Sequence, residues 1–521
     1  MKSRTMAAAI TAGALLLAGC QAASPEPGTD PSTSESTGGT GEATGERGDT
    51  LRLGVVSEMP SWDPAQTHLA EFLQQALMAY DTLIMREPDG TLVPMLATAW
   101  EYTNDDNTVL SLDLRTDVTF PDGEAFDAEA VRANIEHFKS ANGPQAGQAV
   151  AIESVTVVDE DTVEINLSSP DPALEYYLSQ ALGLMGSPAA IGTDEIIRMP
   201  VGSGPYEMVA DESVVGSRYV FAAKEGYWNP DLQQWNRVEL RILPDPTAQV
   251  NAIVSGEIDA TYLPGTLTEQ ATSAGLDSFV FSIDWEGVLL LDRDGDVNEA
   301  LADVRVRQAI NYAFDREAML RETYLGVGEP TSQVFGPDTA AFDPELDDYY
   351  TYDPEKARAL LADAGYSDLT LEMPVYTPGG ETIMTFVTQQ LADVGITVVQ
   401  TPVLAADFHT DLGQGKFGAS WWSLFQGPDW VAVSQMIVTD TLYNPFDSTT
   451  PEVAAWIEAI RFGGDEGDAA AKELNRFLVE EAWFAPWFRP GMTYFFDGDV
   501  VQVEPQAQMF SQPIYNYHPV N

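Results

Sequence analysis

Apolar and polar residues alternate along several short segments in the first half of this chain. Leu51 to Val56, Val109 to Leu114, Val163 to Leu167 and Ser217 to Ala223 show this alternation or are rich in β-branched residues. Side chains of a half-buried strand point alternately to the core and to solvent. Each of the four segments is therefore predicted to be a strand.

A helical period replaces this alternation in the second half of the chain. Asp353 precedes a proline and a glutamate, as in a capped helix start, and Gly365 stands where the apolar period ends. Leu369 to Val375 then predicts a strand, Glu381 to Val394 a helix and Ile396 to Val399 a strand. Such a strand–helix–strand unit implies a parallel strand pair. The pattern as a whole predicts a mixed α/β fold.

The first fifty residues differ in composition from the rest. Lys2 and Arg4 precede an apolar run of about thirteen residues, which is shorter than the roughly twenty residues that span a bilayer. A charged stub, a short apolar core and small residues at its end are typical of a secretory signal. Residues 1–19 are therefore predicted to be a signal peptide, and the protein is expected to be exported.

Cys20, the single cysteine of the 521 residues, ends that segment in the pattern Leu-Ala-Gly-Cys. The pattern resembles the bacterial lipobox, which implies that Cys20 receives a diacylglycerol and anchors the protein to a membrane. A stray free thiol is the alternative, because a lone cysteine cannot form an internal disulfide. Residues 21–50 are rich in Ser, Thr, Gly, Pro and Glu. Residues 20–50 are therefore expected to be a lipidated cysteine and a flexible linker.

The charge of the chain bears on its partners. Its 81 acidic and 25 basic residues give a formal net charge of −56. A field of this sign repels phosphate backbones, so nucleic acid is not expected as a partner. The acids either attract cationic ligands or form a solvated surface suited to a salty exterior. Because they are scattered along the whole chain, the second interpretation is favoured.

Sequence patterns of enzymes and metal sites are scarce. The four histidines are widely spaced, and the chain has neither a zinc-binding Cys/His pattern nor a Gly-x-Ser-x-Gly segment. Residues 292–296 superficially match a calcium loop, but their glycine is misplaced, which predicts a solvated turn. No metal, cofactor or catalytic residue is therefore expected. Paired carboxylates carry no information among 81 acids, so a secreted hydrolase stays an alternative class.

Aromatic residues are concentrated near a Gly-Pro turn in residues 421–430. This segment is either a core strand followed by a loop or the aromatic wall of a ligand cleft, and composition leaves both open. Trp62, in the turn after the first predicted strand, is a similar case in which the core is slightly favoured. The candidate ligand contacts are Trp62, Trp421, Trp422, Phe425, Asp429 and Trp430.

Several sequence blocks, in this order, resemble the signature of the family 5 extracytoplasmic solute-binding proteins of bacterial ABC importers, which include dipeptide, oligopeptide and nickel binders. The resemblance spans about residues 51 to 500. The blocks are Leu92 to Glu101, Leu112 to Val131, Val201-Gly-Ser-Gly-Pro-Tyr206, Tyr227-Trp-Asn229, Ser255-Gly-Glu-Ile-Asp259, Val304 to Arg316 and Tyr352 to Ala357.

The resemblance implies an α/β fold of the type II periplasmic-binding-protein class, with two lobes around a hinged cleft and an extra α/β domain. The first lobe is expected at 51–80, 199–284 and 493–521, the extra domain at 81–198 and the second lobe at 285–492.

The resemblance also implies a function in solute uptake. The protein is expected to be a monomer on the extracellular side of the membrane, or in the periplasm, that delivers a small solute to an ABC import permease without altering it. Peptides, modified peptides, metal chelates and glycosides are the candidate solutes. An extracellular sensor or adhesin on the same fold is the alternative.

One position departs from the pattern of peptide-binding relatives, which carry an aspartate in a Trp-x-x-Asp segment that pairs with the ligand's ammonium group. The matching position here is Leu424. Burying an ammonium without a carboxylate costs several kcal/mol. A ligand recognised largely by aromatic contact is therefore expected in place of an ordinary free peptide, unless Asp429 takes the role of the missing aspartate.

Overall fold

The computed structural model describes residues 47–377 and 379–520, with only the backbone at Glu71. The predicted signal peptide, Cys20 and nearly all of the predicted linker lie outside the described residues. Within them, the strands are β1 (Gly48–Val55), β2 (Ile84–Arg86), β3 (Leu92–Pro94), β4 (Ala97–Tyr102), β5 (Val109–Leu114), β6 (Ile152–Val157), β7 (Thr162–Leu167), β8 (Tyr206–Met208), β9 (Arg218–Ala223), β10 (Trp235–Ile242), β11 (Ala260–Leu263), β12 (Asp277–Phe281), β13 (Asp284–Leu290), β14 (Gly328–Pro330), β15 (Leu369–Thr377), β16 (Ile396–Leu404), β17 (Ala419–Phe425), β18 (Phe484–Pro490), β19 (Met492–Phe496), β20 (Val501–Val503) and β21 (Tyr517–Pro519).

The helices of the same residues are α1 (Glu71–Ala79), α2 (Ala128–Ala141), α3 (Leu174–Tyr177), α4 (Pro246–Val254), α5 (Thr268–Ser273), α6 (Val304–Tyr312), α7 (Arg316–Tyr324), α8 (Pro354–Asp363), α9 (Glu381–Asp393), α10 (Ala405–Gly413), α11 (Asp429–Met436), α12 (Pro451–Phe462) and α13 (Gly464–Glu480). No helix in the described part of the chain combines the length and the apolar character needed to cross a membrane.

A seven-stranded sheet joins segments from both ends of the described chain in the order β12–β19–β11–β1–β10–β9–β8. β1 pairs in parallel with β10 and β11, and the remaining pairs are antiparallel. The apolar positions of the first predicted strand, Leu51, Leu53 and Val55, are buried in the core of this sheet. This confirms the strand expected at residues 51–56.

A separate antiparallel sheet, β4–β5–β7–β6, packs against α2. Asp127 caps this helix by accepting a hydrogen bond from the backbone N–H of Ala130. Val131, Ile135 and Phe138 lie on one face of α2 and are fully buried. The helix therefore owes its position to the apolar period of its sequence.

Residues 284–490 carry two further sheets, β14–β18–β13–β17 and the pair β15–β16. The pair is parallel and α9 connects its strands, which confirms the predicted strand–helix–strand unit. Asp353 caps α8 through the N–H of Lys356, and Gly365 has a φ of +91° just past the helix end. A positive φ is readily adopted only by glycine, so both predicted ends of α8 are confirmed.

Two short segments join the seven-stranded sheet to the sheet of β13. Ser282 and Ile283 connect β12 to β13, and Gly491 connects β18 to β19. β12 and β19 are antiparallel neighbours in the seven-stranded sheet, and β13 and β18 are antiparallel neighbours in the other sheet. The chain thus passes between these sheets twice, at adjacent positions.

Two of the sequence blocks, 201–206 and 227–229, meet near the buried carboxylate of Asp81. Tyr227 Oη donates to its Oδ1 at 2.7 Å and Trp228 Nε1 donates to its Oδ2 at 2.9 Å. A Cβ on Gly204 would lie 2.5 Å from the backbone of Ala79 and Tyr80, so a larger residue is sterically excluded there. These block residues therefore fix the position of the chain just after the end of α1.

The loop at residues 292–296 forms the predicted turn, but its first aspartate is not solvated. Asp292 is fully buried and accepts hydrogen bonds from the backbone N–H groups of Asp296, Val297 and Asn298, at 2.6 to 2.8 Å. Three N–H donors compensate a buried carboxylate for the loss of water. The solvated turn expected from the sequence is thus wrong for Asp292.

Candidate functional site

A cavity of about 510 Å³ lies between α1, α3, β17 and α11. Its volume is within the range of pockets that bind small molecules. Its walls are mainly apolar and aromatic, with a few amide side chains. The residues that line it include Leu73, Tyr176, Ile283, Phe425, Gln435 and Gln508.

The end of β17 presents Phe425 to this cavity. Phe425 pairs with Asp284 of β13, and Leu424 pairs with Trp285. Neighbouring residues on a strand point to opposite faces. Leu424 is accordingly 2% exposed, in an apolar cluster with Trp285. Phe425 therefore faces the cavity, whereas Leu424, the position matched to the aspartate of peptide binders, is buried in the core.

Trp421 and Trp422 pack on opposite sides of the same strand. The Trp421 indole lies against the apolar cluster that contains Val288, and its Nε1 donates to Glu286 Oε1 at 2.8 Å. The Trp422 ring centroid lies 4.8 Å from that of Phe408. Neither indole lines the 510 Å³ cavity.

Two acids of β13, Asp284 and Glu286, lie on the same face of the sheet as Trp421. Burial raises the pKa of Asp284 to about 6, although the Ser423 hydroxyl donates to it at 3.2 Å. Burial also raises the pKa of Glu286, while Tyr324 Oη, at 2.7 Å, and Trp421 Nε1 donate to it and partly offset that shift. Both pKa values shift upwards, whereas hydrolases that use two carboxylates push the two pKa values apart.

A second cavity, of about 230 Å³, adjoins the first, because Tyr176 and Gln508 line both. Arg86 of β2 and Asp429 at the start of α11 also line it. Asp429 accepts a hydrogen bond from the N–H of Ala341 at 3.2 Å, and burial raises the pKa of Asp429 to about 6. A guanidinium group and a carboxyl group therefore border the same space.

Trp430 and Trp62 occupy different environments. Trp430 lines a third cavity, of about 340 Å³, together with Tyr177, which also borders the 510 Å³ cavity. Trp62 is 1% exposed, and its ring centroid lies 5.7 Å from that of Tyr219 and 5.6 Å from that of Phe221. Trp62 is thus a core residue and lines none of the three cavities.

Arg86, Tyr176 and Gln508 border the cavities but are not among the candidate residues predicted from the sequence. Arg86 follows the apolar run 83–85 directly, in a chain with few basic residues, and this is its one sequence signal. Tyr176 and Gln508 are more than 300 positions apart and meet only in the folded chain. Across residues 47–377 and 379–520, no three His, Cys, Asp or Glu side chains form a cluster that could hold a metal ion.

Comparison with known proteins places this architecture in a known group. Residues 91–442 match the family model of bacterial extracellular solute-binding proteins, family 5 middle region. The glutathione-binding protein GsiB of Pectobacterium atrosepticum is 29% identical over 360 residues, covering 67% of this chain and 68% of that protein. The nickel-binding periplasmic protein of Escherichia coli is 29% identical over 308 residues, covering 56% of each chain.

Solved structures share the fold. NikA from Brucella suis, in complex with Fe(III)-EDTA, superposes with a TM-score of 0.77 at 24% identity, covering 90% of this chain and all of that chain. The murein tripeptide binding protein MppA in its unliganded open form gives 0.78 at 18% identity, covering 91% and 98%. These similarities confirm the α/β periplasmic-binding-protein fold. Because the family model covers more than half of its residues, the chain belongs to family 5 of the bacterial extracellular solute-binding proteins.

Proposed function

We propose that the protein captures a peptide-like or related small solute in the 510 Å³ cavity and delivers it to an ABC import permease. The observation that carries this proposal is the position of the cavity. Phe425 and Gln435 line it from the β17–α11 side, and Leu73 and Phe510 line it from the side of the seven-stranded sheet. A solute held there would contact both sides at once.

We propose that the chain divides into lobes at 51–80, 199–284 and 493–521 and at 285–492, with an extra domain at 81–198. Ser282, Ile283 and Gly491 are then the hinge, because they are the two connections between the main sheets. A solute that contacts both lobes binds the closed form more tightly than the open form and shifts the population towards it. The closed form is the one that a permease would recognise.

The solute class follows from the walls of the cavities and from the relatives. Phe425 offers an aromatic face, which suits planar and cationic groups. Asp429 offers a carboxyl group to a cationic group of the solute. Trp430 extends the aromatic surface towards Arg461, whose guanidinium carbon lies 5.1 Å from its ring centroid. Glutathione, short peptides and nickel chelates are the first solutes to test, since relatives are named for binding glutathione, nickel and a tripeptide.

We infer that the solute leaves the protein chemically unchanged. Two buried acids near the cavity, Asp284 and Glu286, already accept hydrogen bonds from Ser423, Tyr324 and Trp421 of the protein itself. Carboxylates whose oxygen atoms already accept hydrogen bonds from the protein are poorly placed to transfer a proton to a solute. Turnover of an ester, glycoside and peptide panel would contradict this inference.

Native mass spectrometry of the purified protein would identify the bound solute, and calorimetry would then measure its affinity. We expect Phe425→Ala to weaken binding about fivefold to tenfold, or about 1 kcal/mol, because the ring contributes apolar contact in the cavity. The melting temperature should change little, since Phe425 is only half-buried.

Phe446 supplies the matched control. It is also half-buried and lies in residues 285–492, but it does not line the cavity. Phe446→Ala should leave the affinity unchanged. Equal affinity of Phe425→Ala and wild-type protein would remove β17 from the binding site.

We further propose that the protein is a monomer tethered to the membrane by a lipid on Cys20. The support is the Leu-Ala-Gly-Cys pattern and the polar stretch that follows it. Two acyl chains give durable anchoring where one is marginal. Cys20→Ser should therefore release the folded protein to the medium or block its processing, as cell fractionation would show. A Cys20→Ser protein found in the membrane fraction at normal level and mature size would disprove the anchor.

A further inference from the structure

Two glutamines between residues 81 and 198 have almost fully buried side chains that reach the wall of the 510 Å³ cavity. Gln180 is 2% exposed and Gln148 is 5% exposed, and both line the cavity. The Gln148 Oε1 accepts a hydrogen bond from the backbone N–H of Leu182 at 3.0 Å. Leu182 belongs to the short turn that directly follows Gln180. Both glutamines are therefore anchored to the same stretch of backbone.

The amide atoms of these side chains are open to the cavity. Gln180 Oε1, Gln180 Nε2 and Gln148 Nε2 make no hydrogen bond to a described residue, yet none of the three is a fully enclosed atom without a partner. Each residue is almost entirely buried and, of the three cavities, borders only the 510 Å³ one. Gln180 thus offers a donor and an acceptor to a solute, and Gln148 offers a donor.

Amide groups in such a position select a solute with matching hydrogen-bonding groups. Water can satisfy the amide of Gln180 while no solute is bound, but an apolar group that displaces this water leaves the amide unpaired. A buried donor or acceptor without a partner is unfavourable. A solute that restores both hydrogen bonds is therefore bound about tenfold or more tightly than one that does not.

The geometry of a glutamine amide favours one arrangement of those groups. The Gln180 side chain carries its Oε1 and one Nε2–H on the same edge of a planar group. A trans peptide bond cannot match this edge, since its C=O and N–H point to opposite sides. A cis amide held in a ring has its C=O and N–H side by side and can form both hydrogen bonds at once, as glutamine does with the edge of adenine.

The rest of the described wall suits a flat, uncharged ring. Phe425 and Phe510 offer aromatic faces on which such a ring can stack. The polar side chains among the described lining residues are neutral, being five glutamines, one serine and two tyrosines. The charged groups of Asp429 and Arg86 border the adjoining 230 Å³ cavity, which a substituent of the ring can reach past Gln508.

We propose that Gln180 and Gln148 bind a cyclic amide, a ring in which a C=O and an N–H group lie side by side, in the 510 Å³ cavity. The inference rests on the proposed function and narrows its solute class to cyclic dipeptides or compounds that contain a nucleobase, which share this edge. Gln180 pairs with both groups of the edge, and Gln148 donates to a further oxygen atom of the solute. Residues 81–198, the expected extra domain, thereby take a direct part in recognition.

The test compares Gln180→Met with Gln249→Met. Methionine has a flexible, unbranched side chain that fills the space of glutamine without its hydrogen-bonding groups. Gln249 of α4 is the matched control because it is 1% exposed and its Oε1 has no partner among the described residues, yet it lines none of the three cavities. Gln180→Asn is a second variant, which stays polar and withdraws the amide by one methylene group.

Calorimetry uses two pairs of probes that differ only in N-methylation. The first pair is the cyclic dipeptide of two alanines and its N,N′-dimethyl derivative, and the second is uridine and 3-methyluridine. Wild-type protein and Gln249→Met should bind the unmethylated member of at least one pair about tenfold or more tightly than the methylated member. Gln180→Met and Gln180→Asn should bind both members of that pair equally. The pair that binds identifies the kind of ring.

The outcomes separate this inference from the proposed function. Equal binding of both members of a pair by wild-type protein overturns the role of Gln180 and leaves solute capture in the cavity standing. The same conclusion follows if both Gln180 variants still discriminate between the members. If neither unmethylated probe binds, the cyclic-amide class is overturned, and the proposed function then depends on the solute that native mass spectrometry identifies.

Discussion

Replacing Trp422 with alanine is expected to lower the free energy of unfolding by about 3 kcal/mol. The indole packs between Phe408, with ring centroids 4.8 Å apart, and Tyr376, at 5.6 Å. Truncation removes these contacts and leaves a space that the half-buried site can fill only in part. The midpoint of urea unfolding would measure the loss. Solute affinity of the folded protein should stay at the wild-type level, because Trp422 does not line the cavity.

Trp422→Phe is the matched control, since it keeps an aromatic ring against Phe408 and should recover most of the lost stability. Trp421→Ala should also destabilise, because Glu286 then loses the donor at 2.8 Å. A Trp422→Ala protein that unfolds like wild type but binds solute more weakly would show that this ring belongs to the cleft wall.

The second large effect expected is a gain of stability in Asp284→Asn at neutral pH. Burial raises the pKa of Asp284 from its ordinary value of 3.8 to about 6. Between pH 4 and 6 the folded state keeps a proton that the unfolded state has lost, so the contribution of Asp284 to stability falls as pH rises through this window. The shift of about two pKa units corresponds to about 3 kcal/mol, and partial solvent contact of the side chain reduces the expected gain to about 2 kcal/mol.

The pH dependence is measured as the difference in unfolding free energy between Asp284→Asn and wild type. This difference should be near zero at pH 4 and reach its full value above pH 6. Asp368→Asn is the matched control: Asp368 also has a serine hydroxyl as its neighbour, at 3.5 Å, but it is exposed. A constant difference across the pH range would mean that Asp284 does not carry a raised pKa.

The sequence predicted local structure well, because local structure depends on the period of apolar residues and on the side chains that cap helices. The strand–helix–strand unit at 369–404 and the capped start of α8 are both as predicted. Asp127 and Asp353 cap their helices through the backbone N–H three residues later, a contact that needs no tertiary information. The family resemblance then gave the fold, which the family model and the solved structures confirm.

The candidate site was predicted only in part. The sequence directed attention to the segment that contains Phe425 and Asp429, both of which line cavities. It did not show which residues of β17 face inwards, because that depends on the register with β13. Matching Leu424 to the aspartate of peptide binders therefore pointed to a side chain that is buried in the core.

The sequence by itself determined the α/β elements, the acidic charge and the family, and it predicts an export signal at the N-terminus. Tertiary structure alone decided the geometry of the site. Arg86 and Gln508 are 422 positions apart, yet they border the same cavity. The period of apolar and polar residues indicates which face of a helix or strand is buried. A binding site, however, forms where different helices and strands meet. Burial likewise raises the pKa of Asp284, and the hydroxyl that donates to it belongs to Ser423 of another strand.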